Sequence, residues 1–261
     1  MNFKKEEQNI EKFKRSTKIY KIFSGILLLT LMASFFILGN HHKFTTLQSK
    51  YPLVDPMRNF IEQKDFVVNI QPLRESLNDL VSKNPDLDIS LYLEVLNTGA
   101  NISINPQLPV FPASLAKLPL AMSVVKKVER GPWTWDNELV LLDIDVDENS
   151  GALYQRPIGT KFTIEKLVKE LLVNSDNTAY KILVRNMDQS ELFSVVQEIG
   201  LEDLFIKDGR VSAKEYSRMF RALYTSSFLK RENSMKILQW LTETPFNDYL
   251  ASGIPDGAKF A

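Results

Sequence analysis

The chain has 261 residues, 44% hydrophobic and 25% charged, with as many acidic as basic side chains, enough apolar material for one sizeable domain plus an appendage. It has no cysteine, which excludes disulfides, Cys-ligated zinc, a thiol nucleophile and a lipoprotein anchor. Its only histidines, His41 and His42, sit beside an apolar run, so the body has none to form a Ser-His-Asp triad, and an activated serine there must rely on lysine.

Residues 1–21 carry seven Lys/Arg against three Glu, whereas the other 240 residues carry 25 basic and 29 acidic side chains. The body therefore has no basic footprint for nucleic acid. From Ile22 to His42 there is no Lys, Arg, Asp or Glu, and Ile22–Leu38 is almost wholly apolar. About 20 helical residues span roughly 30 Å, the hydrocarbon core of a bilayer. The expectation is a cytoplasmic basic tail over 1–21, a transmembrane signal anchor over 22–42 and an exported body. No small-x-small cleavage site follows the apolar run, so the anchor is expected to be retained. Residues 43–70, with Pro52 and Pro56, read as a stalk, and 71–261 as the folded body.

Within the body, Leu73, Leu77, Leu80 and Val81 recur at helical intervals over Gln71–Lys83. Asp88–Asn97 alternates like a half-buried strand, Asn97-Thr98-Gly99-Ala100 signals a turn, and Asn101–Ile104 reads as the hairpin partner. A loop with Pro106, Pro109 and Pro112 leads to a helix that contains Ser114 and ends at Gly131-Pro132. Pro119 lies inside that helix, where a proline costs about 3 kcal/mol, so a distortion is expected just beyond Lys117. Trp133–Gly159 reads as irregular, with a short strand near Leu139–Leu142. The run Asp143, Asp145, Asp147, Glu148 lacks the glycine and terminal glutamate of a calcium loop and reads as a solvated loop, with no metal expected. Helices are predicted over Thr163–Val173, from Ser175-Asp176-Asn177 to Met187, from Asp188 to Gly200, from Ser212 to Tyr224, and over Glu232–Leu241. Asp188-x-x-Glu191 and Ser212-x-x-Glu215 have the pattern of capping boxes.

Ser114-Leu115-Ala116-Lys117 carries the chemistry of greatest interest. Residues three apart share a helix face, so the Ser114 hydroxyl and the Lys117 amine come within reach of each other. A serine needs a base to become a nucleophile, and a buried, deprotonated lysine can be that base. Two fixed residues describe a surface pair on an amphipathic helix equally well. Likewise, Ser175-Asp176-Asn177 alone describes a polar capping turn.

Together, about sixty residues apart, Ser114–Lys117 and Ser175–Asn177 resemble the S-x-x-K and S-D-N signatures of the penicillin-recognising serine hydrolases, the class A β-lactamases and penicillin-binding D,D-peptidases. Ile158-Gly159-Thr160-Lys161-Phe162-Thr163, Asn177-Thr178-Ala179 and Gly253-Ile254-Pro255-Asp256-Gly257 extend the likeness over about Gln71 to Ala261. The resemblance implies an α/β fold: an antiparallel sheet flanked by helices, a mostly helical subdomain, and the site between them. It implies Ser114 as acylated nucleophile, Lys117 as its base, Ser175 as proton shuttle to the leaving nitrogen, and Asn177 as binder of the substrate amide. Asp176 would brace the turn, and the Ser114 N–H would serve half of an oxyanion hole. The substrate would be a β-lactam or a cell-wall peptide, with no cofactor and a monomeric enzyme; a non-catalytic sensor is the alternative outside enzymology.

Two departures accompany it. K-T-G is not reached before Ala261, so the sequence reads as incomplete, and the 261-residue polypeptide by itself is expected to be inactive and poorly folded. Only Leu201–Val211 stands where class A enzymes carry an Ω loop with a deacylating glutamate. Glu202 and Asp203 lie there but read as a charged connector, so deacylation is expected to be slow.

Overall fold

The computed structural model describes residues 69–96, 98–201, 209–246, 248 and 251–254, all within one unit, Tyr51–Ala261. The basic tail and the expected anchor lie outside the described residues, as do Glu202 and Asp203. Among the described residues no helix is long and apolar enough to cross a membrane.

Helix α1 (Gln71–Ser82) starts with Pro72 in its first turn, where a missing N–H costs nothing. Strands β1 (Leu91–Glu94) and β2 (Asn101–Ile104) form an antiparallel hairpin with Leu91 opposite Ile104 and Glu94 opposite Asn101. Gly99 closes its turn at φ +76° and donates to the Val95 carbonyl. After an isolated pairing of Val110 with Val211, a 3-10 turn (Ala113–Ala116) runs into α2 (Lys117–Arg130), which ends on Gly131 at φ +96°. Strands β3 (Glu138–Val140) and β4 (Lys161–Thr163) pair antiparallel. Five helices follow: α3 (Ile164–Val173), α4 (Asn177–Arg185), α5 (Gln189–Ile199), α6 (Ala213–Tyr224) and α7 (Arg231–Thr242).

The first half of α2 is buried on every side, from Lys117 to Val125 without a break. A helix enclosed on all faces must be central to its layer, and α2 packs on α3, α4 and α5. Met122, Leu167, Leu171, Ile182, Leu183 and Ile237 meet in this core, each at most 1% exposed. Helix α6 joins it through Met219 and Leu223 and also packs on β1, where the Arg221 guanidinium pairs with the Glu94 carboxylate.

Four expectations are corrected. The described strands form two separate two-stranded sheets, not one sheet. The short strand is Glu138–Val140, not Leu139–Leu142, and it pairs with Lys161–Thr163, where no strand is expected from the sequence. The acidic run is only partly a solvated loop: Asp143 and Glu148 are exposed, but Asp145 is 1% exposed, gripped by Arg185 through Nε to Oδ1 at 2.8 Å and Nη2 to Oδ2 at 2.8 Å. No cluster of potential metal ligands occurs among the described residues. Finally, Pro119 falls in the first turn of α2, because the α-helix begins only at Lys117. There its ring breaks no hydrogen bond, so the distortion expected beyond Lys117 does not arise; the helix is regular from Lys117 on, and the irregular 3-10 turn lies before it.

Candidate active site

Two segments distant in sequence build the site. Ser114 rides on the 3-10 turn, with Ala113 before it held at φ +47°. Ser175 stands between α3 and α4 at φ +51°. Such left-handed backbone costs a non-glycine residue about 1–2 kcal/mol, and both instances lie where the two serines are presented to each other.

The turn at Ser175 is held from beneath by Asp176, which is fully buried. Its Oδ1 caps α4 by accepting from the Ala179 N–H at 2.7 Å. Its Oδ2 accepts from the N–H groups of Ala152 at 2.7 Å and Leu153 at 2.9 Å. The Asn177 N–H donates to the Ser150 carbonyl at 3.0 Å. Gly151 makes this approach possible, since a Cβ there would stand 2.0 Å from Asp176 Oδ2, on a backbone at φ +89°. From the other side, the buried Tyr216 of α6 donates its hydroxyl to the Leu115 carbonyl at 2.9 Å, tying the Ser114 turn to α6.

Ser114, Lys117, Ser175 and Asn177 converge. The Lys117 amine donates to Ser175 Oγ at 2.8 Å, to Asn177 Oδ1 at 2.7 Å, to the Ser175 carbonyl, and to Ser114 Oγ at 3.4 Å. The two serine hydroxyls are 3.0 Å apart. Lys117 is only 6% exposed. Burial pushes its proton affinity below the ordinary lysine value, against an upward pull from Asp176 and Asp147. The partner set explains how a neutral amine can act here. The Ser175 carbonyl and Asn177 Oδ1 accept only, and they occupy two N–H bonds. In the neutral form the remaining position is a lone pair facing the serine hydroxyls.

Asp147, which had been read as part of a solvated loop, stands just behind. Its Oδ1 accepts from Asn177 Nδ2 at 3.2 Å, and its Oδ2 meets Lys181 Nζ at 3.0 Å. Its carboxyl is held well below the usual carboxylate range, chiefly by Lys181 and then by Asn177 and Asn149. Asp147, Gly151, Lys181 and Tyr216 escaped the sequence reading. Only Gly151 carried a local signal, as a glycine in an irregular segment, and nothing in the sequence pointed it at Asp176.

The profile of the Beta-lactamase enzyme family matches residues 72–261. No curated protein matches the chain. Among solved structures, PBP-A is similar at 23% identity and a TM-score of 0.67, covering 73% of this chain and 75% of that one. A β-lactamase from Sphaerobacter thermophilus DSM 20745 is similar at 23% identity and a TM-score of 0.57, covering 61% of this chain and 64% of that one. A β-lactamase from Xanthomonas campestris pv. campestris str. ATCC 33913 is similar at 17% identity and a TM-score of 0.64, covering 73% and 77%.

Proposed function

The chain belongs to the β-lactamase enzyme family, and on that premise we propose that it is a class A-type serine acyl-transfer hydrolase, acylated on Ser114 by a β-lactam ring that it then hydrolyses. One observation carries the reading: a buried lysine amine, occupied by two carbonyls, faces the hydroxyls of two serines 3.0 Å apart. The proton leaves Ser114 Oγ as that oxygen attacks the carbonyl carbon. The direct path to Lys117 is 3.4 Å, at the limit of a hydrogen bond, whereas the path through Ser175 has legs of 3.0 and 2.8 Å. Hydroxyl hydrogens rotate freely, so Ser175 accepts from Ser114 while donating to neutral Lys117. When the ring C–N bond breaks, Ser175 returns a proton to the nitrogen. The Ser114 N–H, in a first helical turn with no intrahelical acceptor, stabilises the oxyanion. Asn177 orients the substrate amide.

A second reading, a penicillin-binding D,D-peptidase whose acyl-enzyme lingers, is favoured by the short connector Leu201–Val211. Either enzyme would be anchored by 22–42 with its body outside the cytoplasmic membrane, as a monomer. The test uses the full gene product with penicillin and nitrocefin. Mass spectrometry should find one adduct on Ser114, absent in Ser114→Ala. Steady nitrocefin turnover supports the hydrolase, a persistent adduct supports the second reading, and no adduct overturns both.

A further inference from the structure

We propose that Asp147 is a positioning residue of this site: it fixes the Asn177 amide so that its oxygen faces Lys117 and one N–H stays free for substrate. The inference rests on the acyl-transfer reading and adds a residue to it. Asn177 stands between two groups of opposite demand. On one side is the Lys117 amine, which donates to Asn177 Oδ1 at 2.7 Å. On the other is the Asp147 carboxylate, which only accepts, and takes Asn177 Nδ2 at 3.2 Å. Turning the amide over would set N–H groups against the amine and oxygen against the carboxylate, losing both bonds.

Asp147 is itself held rigidly. Its Oδ1 also accepts from the Asn149 N–H at 3.1 Å and from Asn149 Nδ2 at 2.9 Å. Its Oδ2 pairs with Lys181 at 3.0 Å. Its backbone N–H donates to Thr178 Oγ1 at 3.1 Å, and its carbonyl accepts from the same hydroxyl at 3.3 Å. Asn177, Thr178 and Lys181 are positions one, two and five of α4, so Asp147 is clamped along the first turn of the helix that carries Asn177. One N–H of Asn177 is thereby spent on Asp147, and the other remains for a substrate carbonyl.

The charge has a second effect. The carboxylates acting on Lys117 are Asp176, from the α4 cap, and Asp147. Asp176 is already satisfied by three backbone N–H groups, while Asp147 faces Lys181, Asn177 and Asn149. Removing the Asp147 charge therefore lets Lys117 lose its proton at lower pH.

The test compares Asp147→Ala and Asp147→Asn in the full gene product, by acylation rate against pH and by NMR of the Asn177 side-chain amide and the Lys117 Cε carbon. Asp147→Asn can still accept from Asn177 and should keep the plateau rate, whereas Asp147→Ala should lose about tenfold, the worth of one hydrogen bond. Both variants should move the acid limb, and the Lys117 midpoint, to lower pH, which a merely structural carboxylate would not do. In the Asn177→Ala background, Asp147→Ala should add no more than about twofold. Should Asp147→Ala fail to fold, the Lys117 midpoint in Asp147→Asn decides. An unmoved midpoint, or an additive double mutant, overturns the proposal. A wild-type protein without a Ser114 adduct overturns the acyl-transfer reading instead, and the NMR readouts still decide on Asp147.

Discussion

Helices α1 and α2 begin alike, each with a proline in its first turn, and end in opposite environments. In α2 nine consecutive residues from Lys117 are buried, whereas α1 buries none, with Leu73 and Leu80 exposed. Lys117, the proposed base, belongs to the first kind of environment, while Ser114 stands exposed just before it. A lysine at the surface would keep its proton and its water. Lys117 has lost most of its water to the α2–α3–α4 core, and this makes it a candidate base. The contrast teaches that the proposed role of Lys117 depends on its enclosure by the helical layer, to which the α1 surface adds nothing.

The sharpest way to break that contrast is to open the enclosure where it is tightest. Gly151→Ala would put a methyl 2.0 Å from Asp176 Oδ2, and backbone as well as carboxylate would have to shift. The expected loss is on the order of 4 kcal/mol or more, with the Ser175 turn displaced; urea unfolding and soluble yield would show it. Next, Ile182→Ala deletes fully buried methyls of α4 in the helical core and should cost about 2–5 kcal/mol. Arg185→Ala follows, because it leaves the buried Asp145 carboxylate with the Leu142 N–H but without its cation, at about 3 kcal/mol. Equal stability of these variants and of α1 surface variants would erase the distinction between the two regions.

A pH series sharpens it further. Lys117 has a folded-state proton affinity below its unfolded value, so between the two the unfolded chain binds more protons. The cost of burying the charged amine is therefore full below the folded-state value and is relieved as pH rises from there toward the ordinary lysine value. Acylation should instead rise as the pH passes the folded-state value of Lys117, with its midpoint below that of a free lysine. An acylation rate that follows no titration below the ordinary lysine value, or one whose midpoint differs from that of Lys117 by NMR, would show that Lys117 is not the titrating base.

What the sequence disclosed follows the range of the forces involved. Caps act over three residues, and Thr163 accepts from Lys166 N–H at 3.2 Å while Glu215 reaches back to Ser212 N–H at 3.0 Å, as their spacing indicates. The hairpin turn at Gly99 and the helix stop at Gly131 were equally local. Ser114 and Lys117 were legible by helix spacing, and Ser175 and Asn177 through resemblance to a family signature. Asp145 was not, since its partner Arg185 lies forty residues on, and a string of acids reads as solvated until the distant cation is placed. Asp147 and Tyr216 were hidden for the same reason: each acts on a segment brought near only by the packing of α4 and α6.

The smallest effect belongs to α1. Leu80 is 57% exposed, so Leu80→Ala removes methyls that already face water. Little transfer free energy is lost and no cavity forms, because no neighbours enclose the side chain. Alanine also favours the helix slightly more than leucine does. The two terms nearly cancel, and the expected change is within about 0.5 kcal/mol, with acylation of Ser114 unchanged. Urea midpoints of wild type and variant in the full gene product would test this. A loss comparable to that of Ile182→Ala would mean that α1 presents its leucines to a partner surface in the intact protein, and that the layer around Lys117 extends further than α2, α3 and α4.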